Sequence, residues 1–333
     1  MGLFDSLKSR PMIFTSAFAT AGLLCAFLKD QMQGEKFKDP IKATDKRIVI
    51  TGTTSGIGKE TARELAKREA RVYMACRDMK KCEQIRDDII LESANKHVHC
   101  IECDLSSMDS IRKFVKEYKE RENRLDILIN NAGVMRCPHT LTKDGFEMQL
   151  GVNHMGHFLL TNLLLDLITK SAPSRIINVS SAAHLRGKIN AEDINSEKSY
   201  DSAEAYNQSK LANIMFTREL ARKLTGTGVT VNAVNPGLVD TEITRHMGVF
   251  KSLSGMIFRP LTWPFLKTPK SGAQTTIMAA LEPRLANKSG LYYSNCTKDQ
   301  VSEEAKNKSV SDWLWTVSEK WTGLDGSSDQ KKK

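Results

Sequence analysis

Short β-branched runs alternate with amphipathic segments along most of this chain, and that alternation restricts its fold more than any other feature. Residues 47–51 (Arg-Ile-Val-Ile-Thr) end in a glycine-rich turn and read as a buried parallel strand, with a helical pattern over 57–68. The pairing recurs as strand 71–75, charged helix 79–93, strand 97–103, helix 107–121 and strand 125–130. A long helix over 152–170, strand 176–180, a helix out to about 224 and strand 230–235 follow, then helix 271–281 and a short strand at 291–293. Parallel neighbours need a crossover between them, so this spacing predicts an α/β domain with a doubly wound, seven-stranded parallel sheet covered by helices on both faces.

The ends read differently. Residues 11–28 carry no charge, which approaches the ~20 apolar residues that a bilayer core requires. Lys8 and Arg10 precede this stretch and Lys29, Lys36 and Lys38 follow it. We therefore expect an N-terminal hydrophobic anchor helix within 1–30, a linker over 31–45 and a main domain over 46–295 facing the cytosol, on the endoplasmic reticulum or a mitochondrial membrane. A mitochondrial targeting segment is the alternative reading. The start Met-Gly-Leu-Phe-Asp-Ser fits a myristoylation pattern at Gly2. Residues 296–325 form a C-terminal extension, and the polar tail 326–333 reads as disordered. The excess of 49 Lys+Arg over 39 Asp+Glu suits an anionic cofactor or membrane surface; without a basic stripe interleaved with aromatics, nucleic acid is not an expected partner. Seven cysteines show no regular framework, which favours a reducing compartment. The cluster His97-Val-His-Cys-Ile-Glu-Cys103 reads as a strand and not as a metal site.

The turn Thr51-Gly-Thr-Thr-Ser-Gly-Ile-Gly58 joins the first strand to the first helix. Glycines there let the backbone approach a pyrophosphate, and the helix N-terminus supplies N–H donors, so Thr51, Gly52, Ser55, Gly56, Ile57 and Gly58 are candidate cofactor residues. Folds that bind NAD usually place an acidic residue after the second strand. This chain has Cys76-Arg77, and Arg77 suits the 2′-phosphate of NADP, with Lys59 as a helper. Asp104 and Leu105 after the third strand, and Asn131, Ala132 and Gly133 after the fourth, stand at the same sheet edge.

Tyr206 and Lys210 stand four residues apart on one helix face, with Ser181 at the end of an earlier strand. An ammonium beside a phenol favours phenolate, which predicts a lowered Tyr206 pKa and a proton-trading role.

With TGxxxGIG, Asn130-Asn-Ala-Gly133, Ser181, YxxxK and Pro236-Gly237 in order, residues 46 to about 295 resemble the short-chain dehydrogenase/reductase superfamily, a Rossmann-type fold. Ala75-Cys-Arg-Asp-Met79, Asp144-Gly-Phe-Glu-Met-Gln149 and Gly151-Val-Asn-His-Met-Gly-His-Phe158 are similar to its membrane-bound retinol dehydrogenase branch, which prefers NADP(H). The resemblance implies Tyr206 as general acid/base, Lys210 as its modulator and ribose contact, and Ser181 on the substrate oxygen. It implies Asn153 in a proton relay, although an Asn there also suits a helix cap. Pro236, Gly237 and Thr241 fall where the family contacts nicotinamide. It further implies a homodimer paired through the helices near 152 and 202. Residues 244–268 are strongly apolar and read as a lid over an apolar carbonyl or alcohol: a retinoid, or a steroid or lipid aldehyde. A catalytically silent NADP-binding scaffold is the competing class.

Overall fold

The computed structural model describes residues 25–243 and 263–326. Eight strands form one sheet in the order β3-β2-β1-β4-β5-β6-β7-β8. These are β1 (Arg47–Thr51), β2 (Arg71–Cys76), β3 (Val98–Glu102), β4 (Ile127–Asn130), β5 (Ser174–Val179), β6 (Val229–Asn235), β7 (Tyr292–Ser294) and β8 (Thr297–Asp299). β1 to β7 are parallel, and β8 returns antiparallel on β7. The expected seven-stranded sheet is thus extended by one exposed edge strand, whose Thr-Lys-Asp sequence carries no apolar signal.

Alternation along the strands builds two cores, one on each face of the sheet. In β1, Ile48 and Ile50 join one, and Val49 joins the other. All three are fully buried, each contributing roughly 1.5–3 kcal/mol by area. The first core is covered by α1 (Gly56–Lys67), α2 (Met79–Ser93) and α6 (Gln274–Leu281). The second is covered by α3 (Met108–Arg121), α4 (Gly156–Lys170), α5 (Ser202–Lys223) and α7 (Lys308–Thr322). Asp78, Ser107, Asp201 and Asn307 cap α2, α3, α5 and α7 through their side chains.

Several expectations change here. The helix read over 152–170 begins with a π-turn, Gly151–Met155, and becomes α-helical only at Gly156. The extension 296–325 contains α7, whose Trp315 packs against Phe158 and Phe216. Cys82 of α2 and Cys100 of β3 form a disulfide, so the cysteines are not all unpaired as their irregular spacing suggested. No helix among the described residues is long and apolar enough to cross a membrane. The expected anchor falls largely outside the described residues, which begin with a helical stretch over 25–32. The lid is likewise outside them from 244 to 262, and so are Gly2 and all but the first residue of the tail.

Candidate active site

β1 and β4 are neighbours although their connections run to opposite sides of the sheet. A crevice opens at the carboxyl ends of such strands. Here it is a cleft of about 220 Å³ lined by the β1–α1 turn, the ends of β2 to β4, and Thr241, Glu242 and Ile243 after β6. Gly52 adopts φ +70°, and a side chain at Gly58 would place its Cβ 2.1 Å from the Gly52 carbonyl oxygen. The turn is therefore folded onto the start of α1 more tightly than any residue but glycine permits, leaving room for a phosphate group in front of the helix. That close approach fits the pyrophosphate of a dinucleotide.

Arg77 is exposed at the cleft's rim. The acidic neighbour Asp78 also lines the cleft, with its Oδ1 accepting the backbone N–H of Lys81 as the α2 cap. Burial raises the Asp104 pKa, but hydrogen bonds from Ser106 and the charges of Lys143 and Arg77 outweigh it and hold the carboxyl below its ordinary range. This end of the cleft carries the exposed guanidinium of Arg77 beside the Asp104 carboxylate.

Behind Val134 of the cleft wall, Asn153 is fully buried in the π-turn. Its Oδ1 accepts from the Val134 N–H at 2.8 Å, and its Nδ2 donates to the Val134 carbonyl at 3.0 Å and to Ser209 Oγ at 2.9 Å. Asn153 is thus a clamp inside the helix and not its cap. Lys210 and Asn153 both crowd Gly133: a Cβ there would lie 3.6 Å from Lys210 Nζ and 3.2 Å from Asn153 Oδ1. Lys210 Nζ donates to the Val179 carbonyl at 3.2 Å and lies 5.6 Å from the centre of the Tyr206 ring. Ser181, which follows β5, accepts from the Ala183 N–H, and it acts on the Tyr206 phenol, opposing the rise of its pKa.

The expected lowering of the Tyr206 pKa is reversed in this structure. Burial pushes it up to about 12, with the Ser181 hydrogen bond opposing, and burial pushes Lys210 down to about 8. Desolvation disfavours phenolate and ammonium alike and prevails over their attraction at this distance. Burial thus favours the neutral phenol of Tyr206.

Of the residues expected from sequence, Gly52, Ser55, Gly56, Ile57, Gly58, Arg77, Asp104, Leu105, Asn131, Ala132, Gly133 and Thr241 line the cleft together. Asn153, Lys210, Tyr206 and Ser181 do not line it; Asn153 and Lys210 stand behind its Gly133, and Tyr206 lies next to Lys210. Lys59 does not line the cleft. Thr51 is buried behind it, its Oγ1 accepting the N–H groups of Asn131 and Ala132. Pro236 and Gly237 also stand off the cleft, Gly237 turning at φ +83° with its N–H on Asn235 Oδ1. Sequence reading missed Thr54, Val134 and Val152 on the wall, and His157 and Ser209 behind it. His157 stands four residues after Asn153, a helical spacing that signals contact.

A doubly wound sheet with a glycine-rich turn between its first strand and first helix, an arginine on the cleft rim, and buried Tyr206 and Lys210 side by side behind it fits a dinucleotide-dependent oxidoreductase. The family model for short chain dehydrogenases matches residues 46–250, and the chain belongs to that family. It is 46% identical to human (Homo sapiens) retinol dehydrogenase 13 over 96% of its own length and 97% of that protein. It is 47% identical to human retinol dehydrogenase 12, over 94% and 97% respectively. Among solved structures it is similar to the Pseudomonas aeruginosa RhlG/NADP active-site complex, with TM-score 0.62 and 27% identity over 76% of this chain and 95% of that one. The chain is an oxidoreductase acting on CH-OH donors that binds NADP(H).

Proposed function

We propose that this chain is a membrane-associated, NADP(H)-dependent enzyme that interconverts retinal and retinol, with carbonyl reduction favoured. The observation that carries it is the buried Tyr206 phenol, kept protonated by burial, with the Lys210 ammonium 5.6 Å from the centre of its ring. NADPH, when bound, supplies the hydride. Gly52, Gly56 and Gly58 admit its pyrophosphate, Arg77 takes its 2′-phosphate, and Thr241 and Lys210 face its nicotinamide end. Ser181 holds the carbonyl oxygen of the substrate and stabilises its growing negative charge, and Tyr206 donates the proton that neutralises it. Burial of the Lys210 ammonium beside that oxygen adds a second stabilising charge. The retinoid reading is supported by relatives named as retinol dehydrogenases across nearly the whole chain.

Membrane association is supported by one corner of the molecule. Five of the eight exposed large apolar side chains among the described residues, Phe27, Met32, Leu238, Trp263 and Phe265, lie there. Lys29 ties the corner together, donating to the carbonyls of Trp263 at 2.9 Å and Leu266 at 2.6 Å. It continues into the uncharged stretch 11–28, so a bilayer would cover both.

The test is a panel of retinal, a steroid ketone and a long-chain aldehyde, each with NADPH. Retinal should turn over best, and no turnover of retinal with reduction of another carbonyl would transfer the assignment to that class. Tyr206→Phe should abolish reduction while NADPH still binds by fluorescence; surviving activity would remove Tyr206 as the acid. Absence of turnover on every carbonyl would favour the silent scaffold.

A further inference from the structure

A hydrogen-bonded path that neither the family motifs nor the cleft explains runs behind the site. Thr51 Oγ1 lies 2.9 Å from each of the N–H groups of Asn131 and Ala132 and 2.8 Å from His157 Nε2. A hydroxyl has two acceptor sites and one proton. Both acceptor sites are filled by N–H donors, so the proton of Thr51 must go to His157 Nε2. The imidazole is then fixed as the Nδ1–H tautomer, and that N–H donates to the Asn153 carbonyl oxygen at 3.0 Å. The ring is 2% exposed, and burial pushes its pKa down to about 4, so it stays neutral and keeps this single orientation. From Asn153 the path continues through Nδ2 to Ser209 Oγ, and from the Ser209 hydroxyl to the Tyr206 carbonyl at 2.8 Å.

We infer that His157 is a positioning residue with two separable duties: through Thr51 it holds the cofactor-lining segment Asn131–Ala132, and through Asn153 and Ser209 it holds the helix turn that carries Tyr206. The π-turn serves the second duty by placing the Asn153 side chain on the Val134 backbone and its carbonyl oxygen 3.0 Å from the imidazole Nδ1. Thr51 and Asn153 belong to different elements, β1 and the start of α4, and His157 is bonded to both. A nonpolar ring of the same size would fill the space and leave the Thr51 proton and the Asn153 carbonyl without this partner, each buried.

The inference rests on Tyr206 being the proton donor, and two near-isosteric variants separate its duties. The amide of Asn reaches the place of Nδ1 and that of Gln the place of Nε2. His157→Asn should keep the Asn153 contact and lose Thr51, raising the NADPH Kd about fivefold to tenfold with kcat nearly unchanged. His157→Gln should keep Thr51 and lose Asn153, lowering kcat about tenfold with the NADPH Kd within twofold. Ser209→Ala, which leaves the sheet untouched, should lower kcat like His157→Gln and provides the readout if either histidine variant fails to fold. Titration of NADPH fluorescence on the full chain gives Kd without any substrate. Equal losses of Kd and kcat in both histidine variants, or an unchanged kcat in Ser209→Ala, would overturn the positioning role. If Tyr206→Phe itself retained activity, the assignment of the acid would fail first, and the two failures are therefore distinguishable.

Discussion

Replacing Lys210 by methionine should make the protein more stable at neutral pH while destroying its activity. Lys210 is 2% exposed, and burial takes its pKa from 10.5 to about 8. Between those values the folded protein binds fewer protons at this site than the unfolded chain, so stability rises with pH across that window. Below pH 8 the full cost is present. At ~1.4 kcal/mol per pH unit it amounts to about 3 kcal/mol at pH 7, and by pH 9.5 about 2 kcal/mol of it has been relieved. Methionine fills much the same volume without a charge. The Val179 carbonyl loses the Lys210 donor at 3.2 Å but keeps Asn213 Nδ2 at 3.3 Å, a loss of roughly 1 kcal/mol. Lys210→Met should therefore be more stable than the parent by about 2 kcal/mol at pH 7 and by close to nothing at pH 9.5. Tyr206, whose pKa is raised to about 12, makes the opposite contribution, but only above pH 10, so the comparison ends before it begins. Urea unfolding of both proteins at pH 7.0, 8.0, 9.0 and 9.5 gives the difference directly, with all other titrating groups cancelling. A difference that is independent of pH, or one that grows with pH, would refute the claim that Lys210 is held as a strained, desolvated cation.

Two further substitutions probe the cofactor cleft. Arg77→Glu replaces the guanidinium proposed to hold the 2′-phosphate by a carboxylate, so kcat/KM for NADPH should fall about tenfold to a hundredfold while that for NADH holds or rises; an unchanged cofactor ratio would take Arg77 out of the site. Gly58→Ala drives a methyl to within 2.1 Å of the Gly52 oxygen and 2.5 Å of Asn131 Nδ2. It should cost about 1–3 kcal/mol in urea unfolding and weaken NADPH binding at least tenfold by fluorescence titration, since the turn must open to admit it.

The parallel sheet was legible because each of its strands is a short apolar run and each crossover a periodic one. Helix Met79–Ser93 and strand Arg47–Thr51 fall on the residues that pattern picks out. β8 was not legible: its three side chains are exposed, and it exists only because it pairs with β7. The cleft lining was legible for the residues that sequence context marks, glycines between strand and helix and small residues at strand ends. Thr51 was misplaced because a threonine ending a strand points either way, and here it faces His157 and not the cleft. The direction of the Tyr206 pKa shift was read with the wrong sign. Spacing along a helix reports that Lys210 is near, but the burial that decides both pKa values comes from β5, the π-turn and the Gly133 loop, which are distant in sequence.

The C-terminal helix changes what can be said of assembly. Pairing two copies through the helices near residues 152 and 202 requires their outer faces to be free. In this chain α7 lies on that side: Trp315 stacks near Phe158 of α4 and Phe216 of α5, and Ser318 lies 2.9 Å from His154 Nε2 in the π-turn. The Lys223 ammonium sits 4.5 Å over the Trp315 ring, and Leu314, Trp315, Ser318 and Thr322 are buried. The helix is joined to the sheet by β7 and β8, so it reaches this face within its own chain. A second copy could use the same surface only by displacing α7 and exposing Trp315 and Leu314, each worth roughly 1.5–3 kcal/mol of burial. The homodimer that the resemblance implies through these helices would therefore compete with α7 for this surface.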